Sequence, residues 1–232
     1  MFSIICPMDD NRLEQFVYTK RAYDEMPYIM EFVVPTRTAR KVRPFLKKHD
    51  LLKNVRLIPY TIETGFNPTK ALNIGVRESK YENLIITGPE VKPFNDVLDK
   101  LSQCLDKNVI CRTWDQDENG NLTSLVHIGY RDDTPQPYFL GMFKRSDVEK
   151  INGWDENFMG GYAYEDNDFG ARWVRAQLPF EVREDIQAVH QYHPRGETVP
   201  GGLVKNQLKF YANTDNGVVF CANGLIKLDV VK

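Results

Sequence analysis

Short apolar runs ending at turn residues alternate with stretches whose apolar positions recur at helical spacing. FSIIC (2–6) closes at Pro7, YIMEFVV (28–34) closes at Pro35, and VRLI (55–58) and NLIIT (83–87) follow. Runs of this length, rich in β-branched and aromatic residues, are expected as buried strands. Between them, residues 10–24 carry Leu13, Phe16, Val17 and Ala22 at a spacing that suits a helix packed on one face, and residues 37–48 are basic and helix-like. PTKALNIGVRESK (68–80) places Pro68 near a helix start and keeps Ala71, Leu72, Ile74 and Val76 for packing. A further helix is expected over 94–106. Strands separated by helices of this length need crossovers, hence a largely parallel sheet.

The second half is less regular. VICRT (109–113) and PYFLGMF (137–143) read as strands around a polar excursion, DQDENGN (115–121). The Gly- and aromatic-rich stretch 153–177 turns helical from about Tyr164, and EVREDIQAVH (181–190) leads to a Pro/Gly-rich loop, HPRGETVPGG (193–202). A short helix and two weak strands are expected to finish the chain. No internal repeat or low-complexity linker divides it, so the expectation is one α/β domain over residues 1–232.

Composition narrows the class. With 232 residues, 42% of them hydrophobic, the chain can bury a substantial core. A formal charge of −2 gives no strong nucleic-acid signal. Cys6, Cys104, Cys111 and Cys221 show no C-x-x-C spacing and read as reduced, buried thiols. MFSIICPMDD is too short an apolar run for a signal peptide, and no segment is long enough to span a bilayer. The expectation is a cytoplasmic protein with no transmembrane segment; the Asn121-Leu122-Thr123 sequon carries little weight in that setting.

Three clusters carry candidate chemistry. Ligands bind outside the carboxyl ends of strands in open α/β sheets, which groups Pro7-Met8-Asp9-Asp10, Pro35-Thr36-Arg37 and Gly88-Pro89-Glu90. A lone carboxylate at Glu90 suits Mg²⁺ or Mn²⁺ only if phosphate completes the shell; otherwise it is an ordinary solvated turn residue, as most glutamates are. The second cluster, Gly160-Gly161-Tyr162-Ala163-Tyr164-Glu165-Asp166-Asn167-Asp168, puts acids in the first turn of a helix. The helix dipole alone favours them there by about 0.3–1 kcal/mol each, and Asp168 can pair with Arg172 at i,i+4. Helical spacing puts Asp166, Phe169 and Trp173 on one face and Glu165, Asp168 and Arg172 on another, so neighbouring acids can differ in role. Third, His190 and His193 lie three residues apart before the Gly/Pro-rich loop and can converge on one ion. His49 and His127 have no such partners in the sequence.

Together these features resemble a nucleotide-sugar-dependent glycosyltransferase of the GT-A fold, family-2-like, with a galactosyltransferase-type C-terminal part. The resemblance rests on SIICP, on Gly65, Ala71, Asn73 and Gly75 before the central strand, on G-W-D-E-x-F…E-D-x-D (153–168), and on a late histidine, over most of residues 1–195. It implies a Rossmann-like, mixed but mainly parallel sheet flanked by helices, residues 1–113 holding the donor and 114–232 the acceptor and catalytic groups. It further implies an inverting transfer from a UDP-sugar to an acceptor hydroxyl, assisted by Mn²⁺ or Mg²⁺, with a glycan or other hydroxyl-bearing partner. Carried over by position, Asp166 is the general base and Glu165 holds the acceptor or orients its loop. Pro7, Met8, Arg37, Lys70, Asn73, Gly88 and Pro89 lie toward the nucleotide; Glu90, His190 and His193 hold the metal. Trp154 and Tyr164 stack on sugar, and the 194–205 loop, with Gly196, Gly201 and Gly202, is a lid. Such enzymes usually carry D-x-D after the central strand, where this chain has Gly88-Pro89-Glu90. Either the site survives on Glu90 and the histidines, or metal dependence is weakened.

That departure leaves a rival, a GT-A-like domain that binds nucleotide sugar or glycan without transferring it. A nucleotidyltransferase needs a Gly-rich basic loop after the first strand, and PMDDNR contains no glycine.

Overall fold

The computed structural model describes residues 1–61, 68–128, 130–131, 134–135, 139–158, 163–194 and 200–226, without the side chains of 125–131 and 134–135. Its first half is the expected alternation: β1 (Phe2–Ile5), α1 (Leu13–Asp24), β2 (Met30–Thr36), α2 (Ala39–Lys48), β3 (Val55–Pro59), α3 (Pro68–Glu78) and β4 (Asn83–Thr87). β1 lies between β2 and β4, parallel to both, and β2 pairs in parallel with β3. The second strand does not stop at Pro35. Proline removes only a donor, and the Pro35 carbonyl accepts the Met8 N–H at 3.0 Å, tying the loop after β1 to the end of β2.

The second half builds the rest of the sheet. β5 (Val91–Pro93), α4 (Val97–Ser102), β6 (Val109–Gln116), β7 (Leu122–Ile128), the small pair β8 (Tyr130–Arg131) and β9 (Thr134–Pro135), and β10 (Leu140–Lys144) come in turn. Then α5 (Arg145–Lys150), α6 (Glu165–Arg175), β11 (Glu181–His190) and α7 (Gly202–Asp215) follow. Among the described residues the main sheet runs β3-β2-β1-β4-β10-β6-β11-β5, with β7 beside β6. β10 is antiparallel to β4 and to β6, so β6 and its parallel partner β11 point the same way as β1, β2 and β4. The sheet is thus mixed but mainly parallel, as expected. Further expectations change: β6 runs three residues beyond Thr113, the helix expected over 94–106 is only Val97–Ser102, and the closing helix α7 is 14 residues long rather than short, with no strand after it among the described residues.

Strand alternation divides the core between the two sheet faces. Ile4, Phe32, Val34, Ile85 and Met142 pack with Phe16, Val42 and Leu98. Ile5, Leu84, Ile86 and Phe143 pack with Leu72, Val76, Trp154, Phe169 and Trp173. Gly75 permits the contact between α3 and β1: a Cβ there would sit 2.3 Å from Ile5 Cγ2. All four cysteines are buried and free. Among the described residues no helix is long and apolar enough to cross a membrane.

Candidate active site

Because β1, β2, β4, β6 and β11 share a direction, their carboxyl ends gather Pro7–Asp9, Arg37, Gly88–Glu90, Asp115 and His190 at one edge of the sheet. Glu90, His190 and His193 each offer a ligand atom, and these atoms lie within 4.8 Å of one another. The Gly-Pro turn explains how Glu90 gets there. Its carboxylate lies over Gly88, where an added Cβ would come within 2.9 Å of Glu90 Oε1, so only glycine leaves the space. The turn's backbone is clamped: Thr19 Oγ1 donates to the Pro89 carbonyl at 2.8 Å, and the Gln191 N–H donates to the Glu90 carbonyl at 2.8 Å.

The donor set fits a cation. Glu90 Oε2 is buried with no hydrogen-bond partner, and leaving a carboxylate oxygen so costs free energy. The ring nitrogens add to this. His190 Nδ1 lies 2.7 Å from Asp115 Oδ1 and His193 Nδ1 lies 2.8 Å from the Pro194 carbonyl oxygen. Both partners are acceptors, so each Nδ1 is the donor, and in the Nδ1–H tautomer a ring has a lone pair on Nε2. Those two Nε2 atoms face each other at 3.2 Å. Two facing lone pairs repel, and either a proton or a cation between them relieves this; two nitrogens each about 2.0–2.1 Å from one ion sit roughly 3 Å apart, close to the spacing seen.

On the β1–β2 side, the structure spends most of Arg37 internally. Its backbone N–H and its Nε donate to the Asp9 carboxylate at 3.0 and 2.7 Å, and its Nη2 also contacts Asp9. Pro7, Met8 and Asp9 are buried. Tyr60, just past β3, has a buried hydroxyl without a hydrogen-bond partner; burial and then the Asp9 charge push its ionisation upward. Lys70 stands at the start of α3 with Nζ donating to the Thr61 carbonyl at 3.0 Å.

Asn73 and Trp154 are corrected by their burial. Asn73 is fully buried: its amide donates to the Trp154 carbonyl at 2.8 Å and to Glu156 at 3.1 Å, and its oxygen accepts the Trp154 N–H at 2.9 Å. It fastens α3 to the 154–156 segment and leaves no group for a nucleotide. Trp154 is likewise 0% exposed, stacked on Phe169 at 4.4 Å, and offers no face to a sugar. Tyr164 is half-buried beside Phe210.

α6 separates the acids as its spacing allows. Asp168 pairs with Arg172 (2.7 Å), both buried, and Arg172 also donates to the carbonyls of Ile151 and Gly153. Asn213 on α7 donates to Asp168 and to the buried Asp155. Glu165 and Asp166 are half-buried. Burial raises the pKa of both carboxyls; for Asp166 the neighbouring Glu165 charge adds to the rise, and the nearby Trp154 indole partly opposes it. They follow Ala163 and Tyr164, whose φ values of 59° and 70° are left-handed. Such conformations are sparse for non-glycine residues and cluster at functional sites.

Residues missed in the sequence are Tyr60 and Asp115; Asp9 stood in the first candidate loop without a role of its own. Asp115 was legible only with the correct end of β6, since the carboxyl-end rule then singles it out. Gly65, Gly160, Gly161, Tyr162 and Gly196 lie outside the described residues, so the lid expectation is described only at Pro194 and from position 200 onward.

The fold and this edge define a class. Residues 136–194, about a quarter of the chain, match the family described as the N-terminal domain of galactosyltransferase. The first 349 residues of S. aureus TarS in complex with UDP-GlcNAc superpose with a TM-score of 0.69 at 13% identity, covering 98% of this chain and 68% of that one. A Pyrobaculum calidifontis mannosyltransferase, PcManGT, in complex with GDP-Man and Mn²⁺ gives 0.63 at 17% identity, covering 93% and 64%. The chain has the GT-A fold of glycosyltransferases. It spans 60% of another TarS 1–349 structure and 40% of the longer TarS. No curated protein matches it in sequence.

Proposed function

We propose that this chain is an inverting glycosyltransferase that moves a sugar from a UDP-sugar to an acceptor hydroxyl with a divalent ion, Mn²⁺ in preference to Mg²⁺. The observation that carries the reading is the convergence of Glu90, His190 and His193 at the carboxyl edge of a GT-A sheet. The matched galactosyltransferase family and the nucleotide-sugar complexes of the similar structures support the same chemistry. When bound, such an ion would offset charge on a leaving diphosphate. Two imidazoles favour a transition ion over Mg²⁺.

In this reading residues 1–113 hold the donor, with Pro7, Met8 and Gly88-Pro89 forming its floor. The Asp9 carboxylate holds the Arg37 guanidinium in place, so Arg37 acts through shape and hydrogen bonding more than through free charge. Lys70, at the start of α3, is a further donor contact in this reading. Asp166 is the general base: it takes the acceptor proton as the oxygen attacks the anomeric carbon, a role worth typically about 10²–10⁴-fold. A carboxyl held above its usual range is a stronger base once ionised. Glu165 keeps the acceptor hydroxyl oriented, and Tyr164 flanks the acceptor.

The test is donor cleavage. UDP-glucose, UDP-galactose, their N-acetyl forms and GDP-mannose would be offered with Mn²⁺, Mg²⁺ or EDTA to wild type, Glu90→Ala and Asp166→Asn. Cleavage needing Mn²⁺ and lost in both variants is expected. Donor binding without turnover, unchanged by Asp166→Asn across acceptors, would assign a binding protein instead, and no binding of any nucleotide sugar would end the reading.

A further inference from the structure

We infer that Asp115 is a positioning residue of the cation centre: it fixes the proton of His190 on Nδ1 and so reserves Nε2 for the ion. The inference rests on the metal reading above but concerns a residue outside the ligand set. β6 and β11 pair in parallel with Asp115 directly opposite His190. On its other side β6 breaks register with β7 just here: Trp114 pairs with Val126 and Gln116 with Leu122, so Asp115 lies at the irregularity. Bulges beside active sites serve to re-aim a side chain. The side chain so placed sits 2.7 Å from His190 Nδ1, partly exposed at 27%.

Tautomer choice follows from the partner. A carboxylate only accepts, so it holds the imidazole as the Nδ1–H form. In the other tautomer Nε2–H would point at His193 Nε2, 3.2 Å away, as an ordinary hydrogen bond, and the two rings would satisfy each other without an ion. Asp115 disfavours that neutral tautomer for His190, and the Pro194 carbonyl disfavours it for His193. With Nδ1–H on both rings, the two Nε2 lone pairs face one another beside the Glu90 carboxylate. Carboxylate–histidine–metal relays of this kind typically raise metal affinity about 10–100-fold.

The experiment uses Mn²⁺ and Zn²⁺ alone, without nucleotide. Binding is measured by calorimetry and, for Mn²⁺, by electron paramagnetic resonance, on wild type, Asp115→Asn and Asp115→Leu. Ring-nitrogen NMR of the metal-free proteins reports which nitrogen of His190 carries the proton, a readout that general loss of packing does not produce. The expected result is Nδ1–H in wild type, a shift toward Nε2–H in Asp115→Leu, and affinity about 10–100-fold weaker. Asp115→Asn, whose amide oxygen can still accept, is expected to lose less. Wild-type binding retained unchanged in a folded Asp115→Leu, or an unmoved tautomer, overturns this inference alone. Failure of wild type to bind either ion overturns the metal centre and this inference together.

Discussion

Asp168 lies two residues from the proposed base, and its environment predicts that removing it damages the frame rather than the chemistry. It is 1% exposed and Arg172 is 0% exposed. In Asp168→Ala the Arg172 Nε loses its 2.7 Å acceptor and Asn213 loses its better one, while a guanidinium stays buried with only the Ile151 and Gly153 carbonyls for company. Breaking one side of a buried pair costs about 3–5 kcal/mol. A domain is stabilised by only about 5–15 kcal/mol, and at about 2–4 °C per kcal/mol for this size the melting temperature should fall by roughly 6–20 °C. Because Asn213 ties α7 to the same carboxylate, both helices should loosen together. Urea unfolding with thermal melts measures the loss, and Asp168→Asn combined with Arg172→Met should recover part of it, since no charge is then stranded. A stability loss under about 1 kcal/mol, with donor turnover abolished, would refute the reasoning and place Asp168 in the chemistry.

Asp166→Asn should lower turnover about 10²–10⁴-fold while raising stability at neutral pH. Burial lifts the pKa of both Glu165 and Asp166 above its unfolded value, so the folded state holds protons the unfolded state has lost, and wild-type stability falls as pH climbs past the ordinary carboxylate range. Melts between pH 4 and pH 8, chosen as roughly that window, should show a shallower decline in the variant; equal slopes would contradict the burial argument. Gly88→Ala should leave the fold intact, because the crowded atom is the end of a flexible side chain, yet push Glu90 aside and weaken Mn²⁺ binding seen by calorimetry. Gly75→Ala meets Ile5 in the core and should cost about 1–3 kcal/mol in urea unfolding.

The parallel half of the sheet was legible from the sequence because strand and helix periodicity are local. Runs such as NLIIT and the helix over 68–80 carry their own burial pattern, and the carboxyl-end rule then groups Pro7, Arg37 and Glu90 without knowledge of packing. The i,i+4 pair Asp168–Arg172 was legible for the same reason. The insertion of antiparallel β10 between β4 and β6 was not, since which strand fills a gap depends on contacts far apart in sequence.

The tertiary structure also decided which polar residues are spent inside. Asn73 and Trp154 sit in motif stretches that suggest ligand contact, but a buried asparagine must satisfy its amide and finds partners at residues 154 and 156, about 80 positions away. Asp115 shows the reverse: within a polar excursion it looks like any solvated acid, and only the pairing of β6 with β11 sets it against His190. Local pattern specified the elements and the ends where ligands gather. Long-range register, which no single segment encodes, determined which side chains remain available there.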